Sequence, residues 1–123
     1  MPEVKTTCEI KGNTVTLISD PVGSPNVDRS PDACAVYDNF LMEGAYCYQV
    51  CGHLPPGKEP GRIEFYTRIA HQGDSEPWVE CSGDGCETYA ESFDRDSGQL
   101  CAYFKLWKGR GEHRDLMVKV ALA

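Results

Sequence analysis

Trp78-Val79-Glu80-Cys81 leads into Ser82-Gly83-Asp84-Gly85-Cys86, and then into Glu87-Thr88-Tyr89-Ala90-Glu91-Ser92-Phe93. Asp94-Arg95-Asp96-Ser97-Gly98 follows, and Gln99-Leu100-Cys101-Ala102-Tyr103-Phe104-Lys105-Leu106 completes the stretch. The pattern is short strand, tight loop, strand, tight loop, strand, which predicts a three-strand meander. Gly83 and Gly85 suit positive φ in the first loop, and residues 94–98 combine Asx and glycine turn chemistry in the second.

The flanking sequence extends the same reading. Cys8-Glu9-Ile10 and Thr14-Val15-Thr16-Leu17-Ile18 alternate apolar with polar residues around Lys11-Gly12-Asn13, which predicts a hairpin. Ala45-Tyr46-Cys47-Tyr48-Gln49-Val50-Cys51 is a strand rich in aromatics. In Arg62-Ile63-Glu64-Phe65-Tyr66-Thr67-Arg68-Ile69, the residues Ile63, Phe65, Thr67 and Ile69 share one face; Arg62, Glu64, Tyr66 and Arg68 share the other. Leu116, Val118, Val120 and Leu122 point inward from a last strand. Between these lie loops rich in Pro and Gly, at 20–29 and 52–61. One helix is predicted over Pro31–Glu43: Ser30 as N-cap, Pro31 at the first helical position, apolar residues at helical spacing, and Gly44 at C′. A strand around 35–37 is the competing reading. The expected fold is all-β, a small antiparallel barrel or sandwich with at most one short helix, in a single domain spanning 1–123.

Composition narrows the partners. A net charge of −7 speaks against nucleic acid, which needs a basic face to release counterions, and against anionic membrane surfaces. No apolar run approaches the length of a membrane-spanning helix. Seven cysteines in 123 residues point to an oxidising, extracellular setting, so the expected localisation is secreted. Met1-Pro2-Glu3 reads as a start added to a mature secreted chain.

Disulfides are the expected role of Cys8, Cys34, Cys47, Cys51, Cys81, Cys86 and Cys101. Cys47 and Cys51 share a strand face but stand roughly 13 Å apart at 3.3 Å per residue, too far to bond each other. Six paired and one odd cysteine allow on the order of a hundred arrangements, so the connectivity stays open. Cys8, near a terminus, is the candidate for the odd cysteine and for a bond to a second chain. A zinc set of Cys47, Cys51, His53, Cys81 and Cys86 has spacings of C-x3-C and C-x4-C instead of paired C-x2-C, and no metal or other cofactor is expected.

Three other constellations bear on chemistry. His53, Glu64, Arg68 or Arg95, and His113 follow the His, Glu, Arg, His order of small secreted fungal ribonucleases, which use a carboxylate base, an imidazole acid and an arginine on phosphate. Glu64 and Arg68 fall on one strand face, as that chemistry wants, yet solvated surface residues explain the set more simply. Tyr46, Tyr48, Tyr66, Trp78, Tyr89, Tyr103 and Trp107 offer rigid contact area or else core, with Tyr66 the one expected at the surface. Asp84, Asp94 and Asp96 supply too few oxygens at fixed offsets for a calcium loop, and turn chemistry accounts for them.

Trp78, Cys81, Ser92-Phe93-Asp94-Arg95-Asp96-Ser97-Gly98 and Leu100 occur in the order seen in the fungal family of the major Alternaria allergen, which this stretch resembles. The likeness covers about a quarter of the chain. It departs from the family in its seven cysteines, in the helix from Pro31, and in lacking a cysteine pair after Cys101. The resemblance implies a dimeric, secreted β-barrel in which an early cysteine, here Cys8, links two subunits. It also implies an effector that alters plant defence without catalysis. The expected partners are a second copy of the chain and a plant apoplastic protein or small hydrophobic ligand. The alternatives are a secreted ribonuclease-like enzyme and a toxin or inhibitor, and no binding residue is named by the sequence.

An oxidised framework with one odd cysteine has a direct consequence. Alkylation of the unreduced protein labels at most one cysteine per chain by intact mass, whereas seven reactive thiols contradict the extracellular reading.

Overall fold

The computed structural model describes residues 6–19, 45–69, 77–81, 86–107 and 114–123, with backbone alone at 45–47, 69, 87, 89, 90 and 107. Eight strands lie among the described residues: β1 (Thr6–Lys11), β2 (Thr14–Ser19), β3 (Ala45–His53), β4 (Pro60–Ile69), β5 (Val79–Glu80), β6 (Cys86–Phe93), β7 (Gln99–Trp107) and β8 (Arg114–Leu122). They form two antiparallel sheets, one ordered β1-β2-β8-β4-β5 and the other β3-β7-β6. The all-β expectation holds, and of its two forms the sandwich fits: the sheets stack and do not close into a barrel. The helix expected over Pro31–Glu43 falls outside the described residues.

Period-two alternation explains the core. On β8, Leu116, Val118 and Val120 are completely buried and Leu122 nearly so, while Lys119 and Ala121 face solvent. Val15 and Leu17 of β2 lie beside them in register, Val15 against Val120 and Leu17 against Val118. The facing layer comes from the other sheet: Tyr48 and Val50 of β3, with Leu100, Ala102, Phe104 and Leu106 of β7. Phe65 of β4 meets Phe104 edge to face at 5.6 Å, joining the layers near their middle. Residues 100–106 are buried without exception, because β7 is the central strand of its sheet and both its faces are covered. Cys51, Cys101 and Tyr103 make up a smaller cluster.

Turns carry the chemistry that their sequences announce. Lys11 pairs with Thr14 across the two-residue Gly12-Asn13 turn, where Gly12 has φ of 60°. Asn13 then ties the hairpin to β8: its side-chain amide donates to the Leu122 carbonyl at 3.0 Å, and its own carbonyl accepts from Leu122 N–H at 2.9 Å. Between β6 and β7, the Asp94 carboxylate accepts from Asp96 N–H at 2.9 Å, the Asp94 carbonyl accepts from Gly98 N–H at 2.7 Å, and Gly98 has φ of 79°. The first loop of the central stretch, 82–85, falls outside the described residues.

The meander needs one correction. β6 and β7 pair as expected, but β5 joins the other sheet, where Glu80 lies opposite Tyr66 and Val79 opposite Thr67 of β4. Two residues are too few to anchor a strand by themselves. Cys81 N–H donates to the Phe65 carbonyl at 2.9 Å, and a Cys81–Cys86 disulfide then carries the chain from one sheet to the other. A second disulfide, Cys51–Cys101, joins opposed residues of β3 and β7. Cys51 thus finds its partner on another strand instead of at Cys47, as strand geometry requires. Cys34 and the side chain of Cys47 lie outside the described residues, and Cys8 carries a free thiol.

Two polar contacts in the interior tie β8 to its neighbours. The Leu116 N–H, at the start of β8, donates to the buried Ser19 hydroxyl at 3.0 Å, and the Thr67 hydroxyl donates to the Asp115 carbonyl at 3.1 Å. Leu116→Ala empties a fully enclosed site and costs about 2–5 kcal/mol. Lys119→Ala on the solvent face of the same strand stays within about 0.5 kcal/mol. Denaturant midpoints at unchanged slope measure both.

Candidate functional site

Two places on the molecule collect functional side chains: the outer face of β4 and a cleft at one end of the sandwich. On β4 the bulge between Pro60 and Ile63 sets the register, after which Ile63, Phe65 and Thr67 turn to the interior and Glu64, Tyr66 and Arg68 outward. Tyr66 donates its hydroxyl to Glu64 at 2.7 Å, and Arg62 stands 3.9 Å from the same carboxylate. That hydrogen bond, with the nearby negative charge, pushes the Tyr66 phenol above its ordinary pKa. Arg68 donates through Nε to Asp115 at 3.0 Å, and its guanidinium lies 4.3 Å from the centre of the Trp78 ring. Both ends of this pair are shielded, with side-chain exposures of 17% and 12%.

These contacts bear on the ribonuclease-like set. Glu64 and Arg68 do share a face, as expected, but that face points away from the sheet whose β3 carries His53. Arg95 sits on the β6–β7 turn and binds Glu59 at 2.8 Å, and His113 lies outside the described residues. The described members of the set do not converge, and Glu64, Arg68 and Arg95 are each engaged by a local partner. The zinc set loses its ligands in the same way, because the sulfurs of Cys51, Cys81 and Cys86 are spent in disulfides. Among the described residues, no three His, Cys, Asp or Glu side chains gather where they could hold a metal ion.

The aromatics separate by position. Tyr48 and Tyr103 belong to the interior, and Gln49 donates to the Tyr103 hydroxyl at 3.1 Å. Tyr66 and Trp78 are half-exposed and committed to Glu64 and Arg68. The side chains of Tyr46, Tyr89 and Trp107 are outside the described set.

The cleft was not legible in the sequence, because two loops distant in the chain build it. One is the β3–β4 connection, where Lys58 N–H donates to the Pro55 carbonyl at 3.1 Å around Pro56-Gly57 and Gly57 takes φ of 77°. The other is the 94–98 turn. Leu54 N–H donates to the Gly98 carbonyl at 2.9 Å and joins their bases. A side chain at Gly98 would stand 3.3 Å from the Leu54 carbonyl, so glycine serves both the turn and the approach. The cleft is half-open, with a volume of about 620 Å³. Leu54, Pro55, Pro56 and Phe93 give it an apolar lining, and Lys58, Glu59, Arg95 and Asp96 supply two positive and two negative charges. Arg95 and Glu59 come from opposite loops, and their ion pair bridges the lips.

No protein-family model, curated protein or solved structure matches this chain.

The Tyr66–Glu64 contact gives a checkable ionisation. In a folded chain carrying ¹³C-labelled tyrosine, Glu64→Gln lowers the pH at which Tyr66 titrates toward the ordinary tyrosine range. An unchanged titration contradicts the contact.

Proposed function

We propose that this chain is a secreted binding protein that holds a small, uncharged ligand with both apolar and polar parts in the cleft between the β3–β4 loop and the 94–98 turn. The cleft itself carries the reading. Its size is within the range of small-molecule sites, and its lining is about half apolar, from two prolines and a phenylalanine, and about half polar, with Lys58, Glu59, Arg95 and Asp96 among the polar groups. In a chain of net charge −7, two cations and two anions around one cleft leave little net field on a ligand. Such a site favours a neutral body over an ion.

The Cys51–Cys101 and Cys81–Cys86 disulfides support an oxidising compartment, and no helix among the described residues is long and apolar enough to cross a membrane. Together with the resemblance of residues 78–100 to the Alternaria allergen family, they favour a fungal effector that alters plant defence by binding, without catalysis. The rigid frame matters to that role, because a preformed cleft avoids the cost of ordering its loops on binding.

N-phenylnaphthylamine, an uncharged apolar fluorophore, is the probe. Saturable one-to-one binding is expected, weakened about fivefold or more by Phe93→Ala and unchanged by Tyr66→Phe on the outer sheet face. Unsaturable binding, or binding indifferent to Phe93, contradicts the site. RNA turnover that disappears in Glu64→Gln contradicts the non-catalytic part of the reading.

A further inference from the structure

The rim of the cleft is fixed in its backbone and loose in its side chains. On one lip the Glu59 carbonyl accepts from Ala123 N–H at 2.9 Å, which ties the β3–β4 loop to the end of β8. On the other lip Arg95 sits inside a closed turn: Gly98 N–H donates to the Asp94 carbonyl at 2.7 Å and Asp94 N–H to the Gln99 carbonyl at 2.9 Å. The Leu54–Gly98 hydrogen bond joins the two loops beneath. Among the described residues, one ion pair crosses the mouth, with Arg95 Nε 2.8 Å from Glu59 Oε1. Its side chains are 79% and 50% exposed, and a pair so open to water holds weakly. Parting it takes rotation about side-chain bonds and leaves both backbones where they are.

The chemistry of the two lips is complementary. A guanidinium only donates hydrogen bonds and a carboxylate only accepts them. With the pair parted, one lip offers donors and the opposite lip acceptors, above the apolar surface of Leu54 and Phe93. A ligand's carboxylate would suit Arg95 but meet a like charge at Glu59, and an ammonium would suit Glu59 but meet one at Arg95. An ester accepts from Arg95 and has no proton for Glu59. A hydroxyl carries its donor and acceptor on one atom, whereas the lips stand on opposite sides. A secondary amide is planar and trans, so its carbonyl and its N–H point in opposite directions. It is neutral, and it satisfies both lips at once.

We propose that Arg95 and Glu59 are the specificity-determining residues of the cleft, and that its ligand is an amphiphile with an apolar body and a secondary amide. The amide carbonyl accepts from the Arg95 guanidinium, its N–H donates to the Glu59 carboxylate, and the apolar body lies over Leu54 and Phe93. Lys58 and Asp96, one on each loop, add a second cation and a second anion, so the rim as a whole favours neither sign. This assignment rests on the reading of the cleft as a ligand site and names the ligand's chemical class.

Displacement of N-phenylnaphthylamine from the full chain tests it. The competitors are the N-methyl amide of naphthoic acid, its methyl ester, naphthoate and naphthylmethylammonium, which share one apolar body and differ in the polar group. The amide is expected to displace the probe best, about fivefold or more ahead of the ester, because the ester leaves Glu59 without its donor. Glu59→Gln is expected to strengthen naphthoate about fivefold or more, and Arg95→Gln to do the same for naphthylmethylammonium, since each removes the like charge. Both side chains are exposed, so the substitutions leave the fold intact. Suppose the probe binds saturably and Phe93→Ala weakens it. Equal displacement by all four compounds, no displacement by the amide, or an order of competitors unchanged in both variants then overturns the amide assignment while the cleft stands. Unsaturable probe binding removes the cleft itself, and this inference with it.

Discussion

The structure depends on burying one apolar layer between two sheets. β8 supplies four alternate residues to it and β7 another four, and everything else is arranged so that these can meet. Hydrophobic burial is proportional to area and has no direction of its own, so alternation along each strand must aim it. A one-residue slip of β8 would bring Asp115, Met117 and Lys119 into the core. The Asn13 clamp on Leu122 and the Ser19 hydroxyl on Leu116 N–H fix both ends of β8 against such a slip. The disulfides serve the same end by different means. Cys51–Cys101 staples neighbouring strands within one sheet, and Cys81–Cys86 shortens the crossing between the sheets. In the chain-entropy account, the wide separation of the first pair makes it the larger contributor to stability.

From this frame follows the division of labour at the surface. The outer face of β4 is where charged side chains find local partners: Arg68 in Asp115 and Trp78, Glu64 in the Tyr66 hydroxyl. The end of the sandwich is different. There the backbone of β4 comes close to β8, because a side chain at Gly61 would stand 2.7 Å from the Ala121 carbonyl oxygen. The loops above this close packing border a half-open space instead of filling it. The exposed Arg95–Glu59 pair across the lips contributes little energy by itself and yields cheaply to a ligand.

Much of the fold was written in local pattern. The alternation of Ile63, Phe65 and Thr67, and of Leu116, Val118, Val120 and Leu122, named two strands and their buried faces. Gly12-Asn13 and the 94–98 turn named two hairpins. What local pattern could not supply was partnership at a distance. Nothing in Val79-Glu80 says that it pairs with Tyr66 and Thr67 instead of with the strand that follows. The link between Cys81 and Cys86 was one of many open pairings. Whether two sheets close into a barrel depends on the edges β1 and β3 meeting, which no strand encodes alone. The candidate cleft was invisible for a related reason: Leu54 and Phe93 are far apart in the chain, and neither has a neighbouring motif. The order His53, Glu64, Arg68, His113 carried a suggestion of chemistry, but residue order does not say toward which face a strand turns each side chain.

The central functional claim is that ligand contact concentrates at one end of the sandwich. The most direct measurement is a map of backbone amide chemical shifts during titration of the ¹⁵N-labelled chain with an uncharged apolar ligand. The account predicts saturating perturbations at 54–59 and 93–98, with the amides of Glu64, Tyr66 and Arg68 unmoved. Perturbations centred on the outer face of β4, or spread evenly over the surface, would contradict it.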